Sequence, residues 1–251
     1  MRNLPLERDL VPYASGFPPG KRWLVLAPHP DDEVFGPGAT LAQAGERGFE
    51  VRVVVVTDGG AQGEAAERES EARRGAQVLG IGEPEFWRLP DRSLRPSDRR
   101  LRRALRNAIE SFAPDVVFVT SPVELHPDHR ALALALQRTL RTLTWRGLRR
   151  RPPEWVSAYE VGAPLQPNLL VDSDETWEIK RRAAACHAGQ LAYRPYDQFM
   201  ESLATFRGIT LTGIARAEAF HLLPARRVAW LSPRAWASQM GTPAGVSARR
   251  G

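Results

Sequence analysis

The run Val-Arg-Val-Val-Val-Val-Thr at residues 51–57 is the strongest constraint on what this chain can fold into. It is almost continuously β-branched, which suits a strand buried on both faces, as in a parallel sheet. Shorter runs of the same character stand at 24–27 (LVLA), 85–89 (EFWRL) and 115–120 (DVVFVT). Helical stretches near 38–47, 64–79, 98–112 and 129–145 lie between or after them. Strand and helix alternating at this spacing predict right-handed βαβ units. The expected class is α/β, a Rossmann-like, open, mostly parallel sheet with helices on both faces. Beyond a proline-rich break at 151–153, strands are expected at 155–161, 169–172 and 219–223, with one helix from 174 to about 191. One domain over 1–231, with its core at 22–223, accounts for all of these. Residues 232–251 hold turn formers without periodicity and are expected to be mobile or an extended arm.

A chain of 251 residues can bury a sizeable core. Its single cysteine, Cys186, excludes an internal disulfide framework and any multi-cysteine metal cluster. No apolar run approaches the roughly 20 residues of a membrane span. Residues 1–13 interrupt their apolar positions with charges and prolines, which argues against a secretory leader and for the cytoplasm. Net charge is +6, and all but Lys21 and Lys180 of the 35 basic residues are arginine. That balance favours anionic partners such as phosphorylated sugars, nucleic acid or an anionic membrane surface. Arginines cluster at 99–106 and 146–151. In the first cluster Leu101, Ala104, Leu105, Ala108, Ile109 and Phe112 recur at helical spacing, which puts the arginines on a solvated face. No nucleic-acid partner is therefore expected, and a homo-oligomer is left open.

Two segments carry chemistry. Pro28-His29-Pro30-Asp31-Asp32-Glu33 follows the first strand, and His126-Pro127-Asp128-His129 follows the strand at 115–120. Ligands of open parallel sheets bind beyond the carboxyl ends of the strands, so both segments are expected at one crevice. His29 and Asp32 can converge across a strand-to-helix turn. Imidazole and carboxylate are common zinc ligands, and a catalytic zinc takes three protein groups plus water. His29, Asp32 and one histidine of the second segment make such a set. Each segment alone also reads as a helix start, with acids at the positive end of the helix and Pro127 as a first helical residue. Three of the chain's five histidines fall in these two segments, which favours the metal site.

The pair PHPDDE and HPDH resembles the LmbE-like or PIG-L N-acetylglucosaminyl deacetylases. Further matches are Thr57-Asp58-Gly59, Arg68 and Glu71, Leu89-Pro90-Asp91, then Lys180, Ala183 and His187, and Ala217-Glu218-Ala219-Phe220. A departure is Gly189 before Gln190, where the family usually has serine. The resemblance implies Zn2+ on His29, Asp32 and His129, with iron(II) or cobalt able to use the same ligands. It also implies Asp31 as general base, His126 as electrophile or acid, and Asp128 as the group orienting His126. An ionised Asp31 and a protonated His126 together would give a bell-shaped pH profile. Arg68, Asp91 and His187 are the candidate substrate contacts. The reaction so implied is removal of an N-acetyl group from an N-acetylglucosamine-type sugar or conjugate. The same chemistry on another amide (a thiol conjugate or a glycopeptide) is the alternative, and a non-catalytic protein that binds anionic ligands ranks below both.

Overall fold

The computed structural model describes residues 12–145 and 151–241. The start of the chain, most of the second arginine cluster and the last ten residues of the expected tail lie outside that range. Eight strands form one sheet: β1 (Ala14–Ser15), β2 (Arg22–Ala27), β3 (Glu50–Thr57), β4 (Glu85–Leu89), β5 (Val116–Thr120), β6 (Trp155–Tyr159), β7 (Leu169–Asp172) and β8 (Ala217–Pro224). Their order is β1-β7-β8-β6-β5-β2-β3-β4, and only β8 runs antiparallel, between β6 and β7. The chain leaves β2 outward through β3 and β4, then returns to lay β5 against the other edge of β2. The crevice beyond the carboxyl ends of β2 and β5 is thus the point where the strand order reverses, the preferred ligand position in such sheets.

Ten α-helices and a short 3-10 helix (Gly60–Gln62) complete the described chain: α1 (Asp32–Phe35), α2 (Gly38–Glu46), α3 (Ala65–Leu79), α4 (Arg99–Phe112), α5 (Pro127–Leu143), α6 (Trp177–Ala185), α7 (Ala188–Tyr193), α8 (Tyr196–Gly208), α9 (Ala225–Trp230) and α10 (Pro233–Ser238). The strands alternate their side chains between two cores. Leu24, Leu26, Val54, Val56, Val117 and Val119 meet α4, α5 and α9 on one face. Trp23, Val25, Val53, Val55, Val116 and Phe118 meet α1, α2, α6 and α8 on the other. Helix α4 buries Leu101, Leu105, Ala108, Ile109 and Phe112 and turns Arg99, Arg100 and Arg103 outward, the solvated face expected.

The structure departs from expectation in the last third. The helix expected from 174 to 191 is two, broken at Cys186 and His187. Helix α8 was not foreseen. The segment after Ser232 is not an extended arm where it is described. Pro233 opens α10, Ser232 caps it by accepting the Ala235 N–H, and Trp236 and Met240 are buried in the first core. One tryptophan supplies enough apolar surface to dock a six-residue helix that has no periodicity to announce it.

Candidate active site

The backbone at both strand ends is tightly held before any side chain acts. Thr57, closing β3, gives both its N–H and its hydroxyl to the Pro28 carbonyl, fixing the exit of β2. Asp31 then takes φ 154° and ψ −24°, a conformation L-residues rarely adopt and one that collects at functional sites. At β5, the Thr120 hydroxyl donates to the carbonyl of His129 in the first turn of α5. His126 caps that helix, its Nδ1 accepting the Asp128 N–H at 3.2 Å.

Three potential ligand atoms meet here. His29 Nδ1 lies 3.2 Å from Asp32 Oδ2 and 3.2 Å from His129 Nε2, and His129 Nε2 lies 3.2 Å from Asp32 Oδ2. The three atoms form an equilateral triangle. Ligands about 2.0–2.2 Å from a tetrahedral zinc stand roughly 3.3–3.6 Å apart, so the triangle is close to the size of one face of that tetrahedron. Looser groupings, His29 with His126 and His129, and His29 with Asp91 and Asp128, keep their ligand atoms only within 4.8 Å. The second uses His29 Nε2, which already faces Asp91 at 3.1 Å and Asp128 at 3.5 Å. The residues present therefore fit a divalent cation on His29, Asp32 and His129.

Carboxylates surround the triangle. Asp91 and Asp128 hold the far side of the His29 ring. Glu124 Oε2 faces His129 Nδ1 at 3.5 Å, while its Oε1 accepts the N–H groups of Val161, Gly162 and Ala163. Such partners fix ring orientation and raise ligand basicity. Burial alone would depress both ligand histidines. For His29 the carboxylates of Asp128, Asp32 and Asp91 win and raise it well above its ordinary value; for His129 the Asp32 charge wins and raises it to about 9. Burial would likewise raise Asp32, but His129 and His29 hold it far below the ordinary carboxylate range. A cation entering this site replaces protons, because its ligands must be unprotonated.

Asp31 is buried beside the triangle, and burial together with the neighbouring Asp32 charge raises it to about 7. Arg68 opposes that shift with Nη2 at 2.9 Å from Asp31 Oδ2, while Nη1 donates to the Gly59 carbonyl at 2.7 Å. A Cβ on Gly59 would stand 2.5 Å from that Nη1, and its φ is +65°, so glycine alone fits the turn. Beneath Asp31, Glu33 Oε2 accepts the Asp31 N–H at 3.2 Å; burial raises its carboxyl to about 8 and keeps it neutral at pH 7. His126 is lowered by burial and then by the two neighbouring histidines. With Nδ1 engaged as an acceptor, neutral His126 carries its proton on Nε2.

A cavity of about 590 Å3 opens over these groups. It is lined by His29, Asp31, Asp32, Arg68, Asp91, Glu124, His126 and His129, with an apolar wall of Phe35, Leu125, Val161, Pro195, Tyr196 and Phe199. The structure thus brings eight of the nine candidate residues to this region and gives three of them neighbours that the expected roles did not include. Asp128 does not orient His126 through its carboxylate, which accepts the N–H groups of Arg92 at 2.6 Å and Leu94 at 3.1 Å and faces His29; its backbone N–H orients His126 instead. Arg68 lines the cavity as expected, but it is also paired with Asp31. His187 is fully buried outside the cavity, because the break between α6 and α7 turns it onto Phe35 and Gly75, where burial lowers it to about 3.

Sequence reasoning missed Glu124 and the wall from α8. Glu124 had a signal, an acid inside the apolar stretch between β5 and His126. Tyr196 and Phe199 had only their place after Pro195.

Residues 24–140 match the family model described as PIG-L, GlcNAc-PI de-N-acetylase. The chain is 28% identical over 228 residues to diacetylchitobiose deacetylase of Thermococcus kodakarensis, covering 81% of this chain and 84% of that protein. It is 28% identical over 189 residues to the probable N-acetyl-alpha-D-glucosaminyl L-malate deacetylase 2 of Bacillus anthracis, covering 67% of this chain and 81% of that one. Among solved structures, the N,N'-diacetylchitobiose deacetylase of Pyrococcus horikoshii, complexed with its inhibitor MPG, aligns with a TM-score of 0.72 at 26% identity. That alignment covers 82% of this chain and 85% of the other.

Proposed function

We propose that this chain, which carries a PIG-L (LmbE-like) domain, is a zinc-dependent hydrolase that removes the N-acetyl group from an N-acetylglucosamine-type sugar or conjugate. The 3.2 Å triangle of His29 Nδ1, Asp32 Oδ2 and His129 Nε2 carries the reading. These three residues would hold the zinc, which supplies Lewis-acid activation of water and of an amide carbonyl at neutral pH. The remaining chemistry belongs to the protein. Arg68 occupies Asp31 Oδ2, leaving Oδ1 to take a proton from the water that attacks the acetyl carbon. His126 offers Nε2–H to the carbonyl oxygen as negative charge develops there, the kind of donor worth roughly 10²–10³ in rate. The proton held on Asp31 passes to the amine as the C–N bond breaks, giving acetate and the free amino sugar.

The apolar wall also supports the alternative of a larger amide substrate, such as a glycopeptide. Acetate release from a panel of N-acetylated amino sugars, free, phosphorylated and nucleotide-linked, separates the two. Wild type is expected to release acetate from at least one, and Asp31→Asn at least 10²-fold more slowly. Silence across the panel from zinc-loaded wild type would remove the N-acetyl-sugar reading, and equal rates from Asp31→Asn would remove the assigned base.

A further inference from the structure

The charges lining the cavity do not balance at its rim. Each carboxylate near the floor has donors: Asp32 has two histidines, Asp91 has His29 and the Ala61 N–H, and Glu124 has three backbone N–H groups. Arg68 is spent on Asp31 and Gly59. Two lining arginines remain, Arg92 and Arg194, both exposed, and neither guanidinium has a carboxylate partner among the described residues.

Both project from braced turns. Arg92 sits at φ +57°, with its N–H fixed on Asp128 Oδ2, the carboxylate that also faces His29. Its backbone is therefore tied to the catalytic floor. Arg194 ends α7 in an extended conformation and is locked by Pro195, with its carbonyl accepting the Tyr196 N–H at 2.8 Å. Its guanidinium lies 5.5 Å from the Tyr193 ring, and the next aromatics along the chain, Tyr196 and Phe199, line the apolar wall. A sugar ring laid against that wall with its acetamide over the triangle leaves its other substituents toward the rim. The volume exceeds what an acetamide alone needs and lies within the range of about 300–1,000 Å3 typical for sizeable ligands.

We infer that the substrate is an N-acyl amino sugar bearing an anionic substituent, a phosphate or a carboxylate, received by Arg92 and Arg194. The inference rests on the deacetylase reading for the acyl group and on the rim for the anion. Arginine suits either oxyanion, because its planar fork donates two parallel hydrogen bonds and keeps its charge at all working pH.

Calorimetric titration of the zinc-loaded full chain with four deacylated probes tests it: glucosamine, glucosamine 1-phosphate, glucosamine 6-phosphate and muramic acid. At least one anionic probe is expected to bind tenfold or more tighter than glucosamine, and which one does so distinguishes phosphate from carboxylate. Raising salt from 50 to 500 mM should erode that advantage in the wild type. The double variant Arg92→Gln with Arg194→Gln should erase it. Equal binding of all four probes by the wild type overturns the inference. So does a preference that survives the double variant, which would be the metal's own attraction for the anion. Acetate assays on the N-acetylated forms keep the two readings apart. Anionic preference without acetate release sinks the deacetylase reading alone, and acetate release without anionic preference sinks this inference alone.

Discussion

At the scale of single residues, the site is organised by which atom of each side chain is already taken. Arg68 takes Asp31 Oδ2 and opposes, with its charge, the upward push of burial and Asp32. It is a positioning residue, and Arg68→Met should lower kcat/KM by about 10²-fold, the scale of a misplaced reacting group. Removing the guanidinium charge also lets the Asp31 pKa rise. With Asp31 as the proposed base, its ionised form is the active one, so the acid limb of the pH profile should move to higher pH. An unmoved limb in a folded variant would show that Arg68 does not act through Asp31. Glu33 gives a second test through stability. Its folded pKa of about 8 stands above the ordinary 4.5. Its contribution is therefore whole below pH 4.5 and is lost as pH rises toward 8, at about 1.4 kcal/mol per unit. Glu33→Gln removes that loss. Thermal melts should show the variant gaining on wild type from pH 5 to pH 8, and a constant difference would contradict the assignment.

At the scale of elements, the alternating strands and helices of the first half were legible because buried parallel strands leave β-branched runs and helices leave apolar spacing. The strand runs at 24–27, 51–57, 85–89 and 115–120 all fall within two residues of the observed β2–β5. Helix α8 and the break before α7 were not legible, because Pro195 and Cys186–His187 mark boundaries only once the surrounding helices are known. The direction of β8 was equally hidden, since hydrophobic pattern carries no strand polarity. Lys180 shows what joins the late elements to the early ones. It is buried on α6, with Nζ 2.6 Å from Glu218 Oε1 of β8 and 2.7 Å from the Gly36 carbonyl. Glu218 in turn accepts the Ala39 and Thr40 N–H groups at the start of α2. Removing one partner of such a pair leaves a buried charge, at a cost of about 3–5 kcal/mol. Lys180→Ala should therefore lower the Tm by roughly 10 °C. A loss below about 1 kcal/mol in denaturant melts would mean that the clamp is slack.

At the scale of the whole molecule, the reversal of strand order between β2 and β5 brings together two segments about a hundred residues apart, and the triangle forms only there. His29 and Asp32 were legible because strand ends and ligand chemistry coincide in the sequence, whereas the choice of His129 over His126 came from the family resemblance alone. The support from Glu124 and the wall from α8 were not, because they depend on how the last third folds over the crevice. Among the described residues no helix is long and apolar enough to cross a membrane. Arg99, Arg100 and Arg103 of α4 face solvent, and the arginines that line the cavity stand beside the candidate site.

The most direct test of the metal site is to add zinc in steps to metal-depleted protein, following bound metal and acetate release together in wild type, Asp31→Asn and His129→Ala. Wild-type activity should rise in proportion to zinc and level off at about one equivalent per chain, as a three-ligand catalytic site requires. Asp31→Asn should bind the same equivalent and stay nearly silent, while His129→Ala should lose the tight site. Acetate release that is the same with no zinc bound, or that survives the loss of His129 undiminished, would contradict the account.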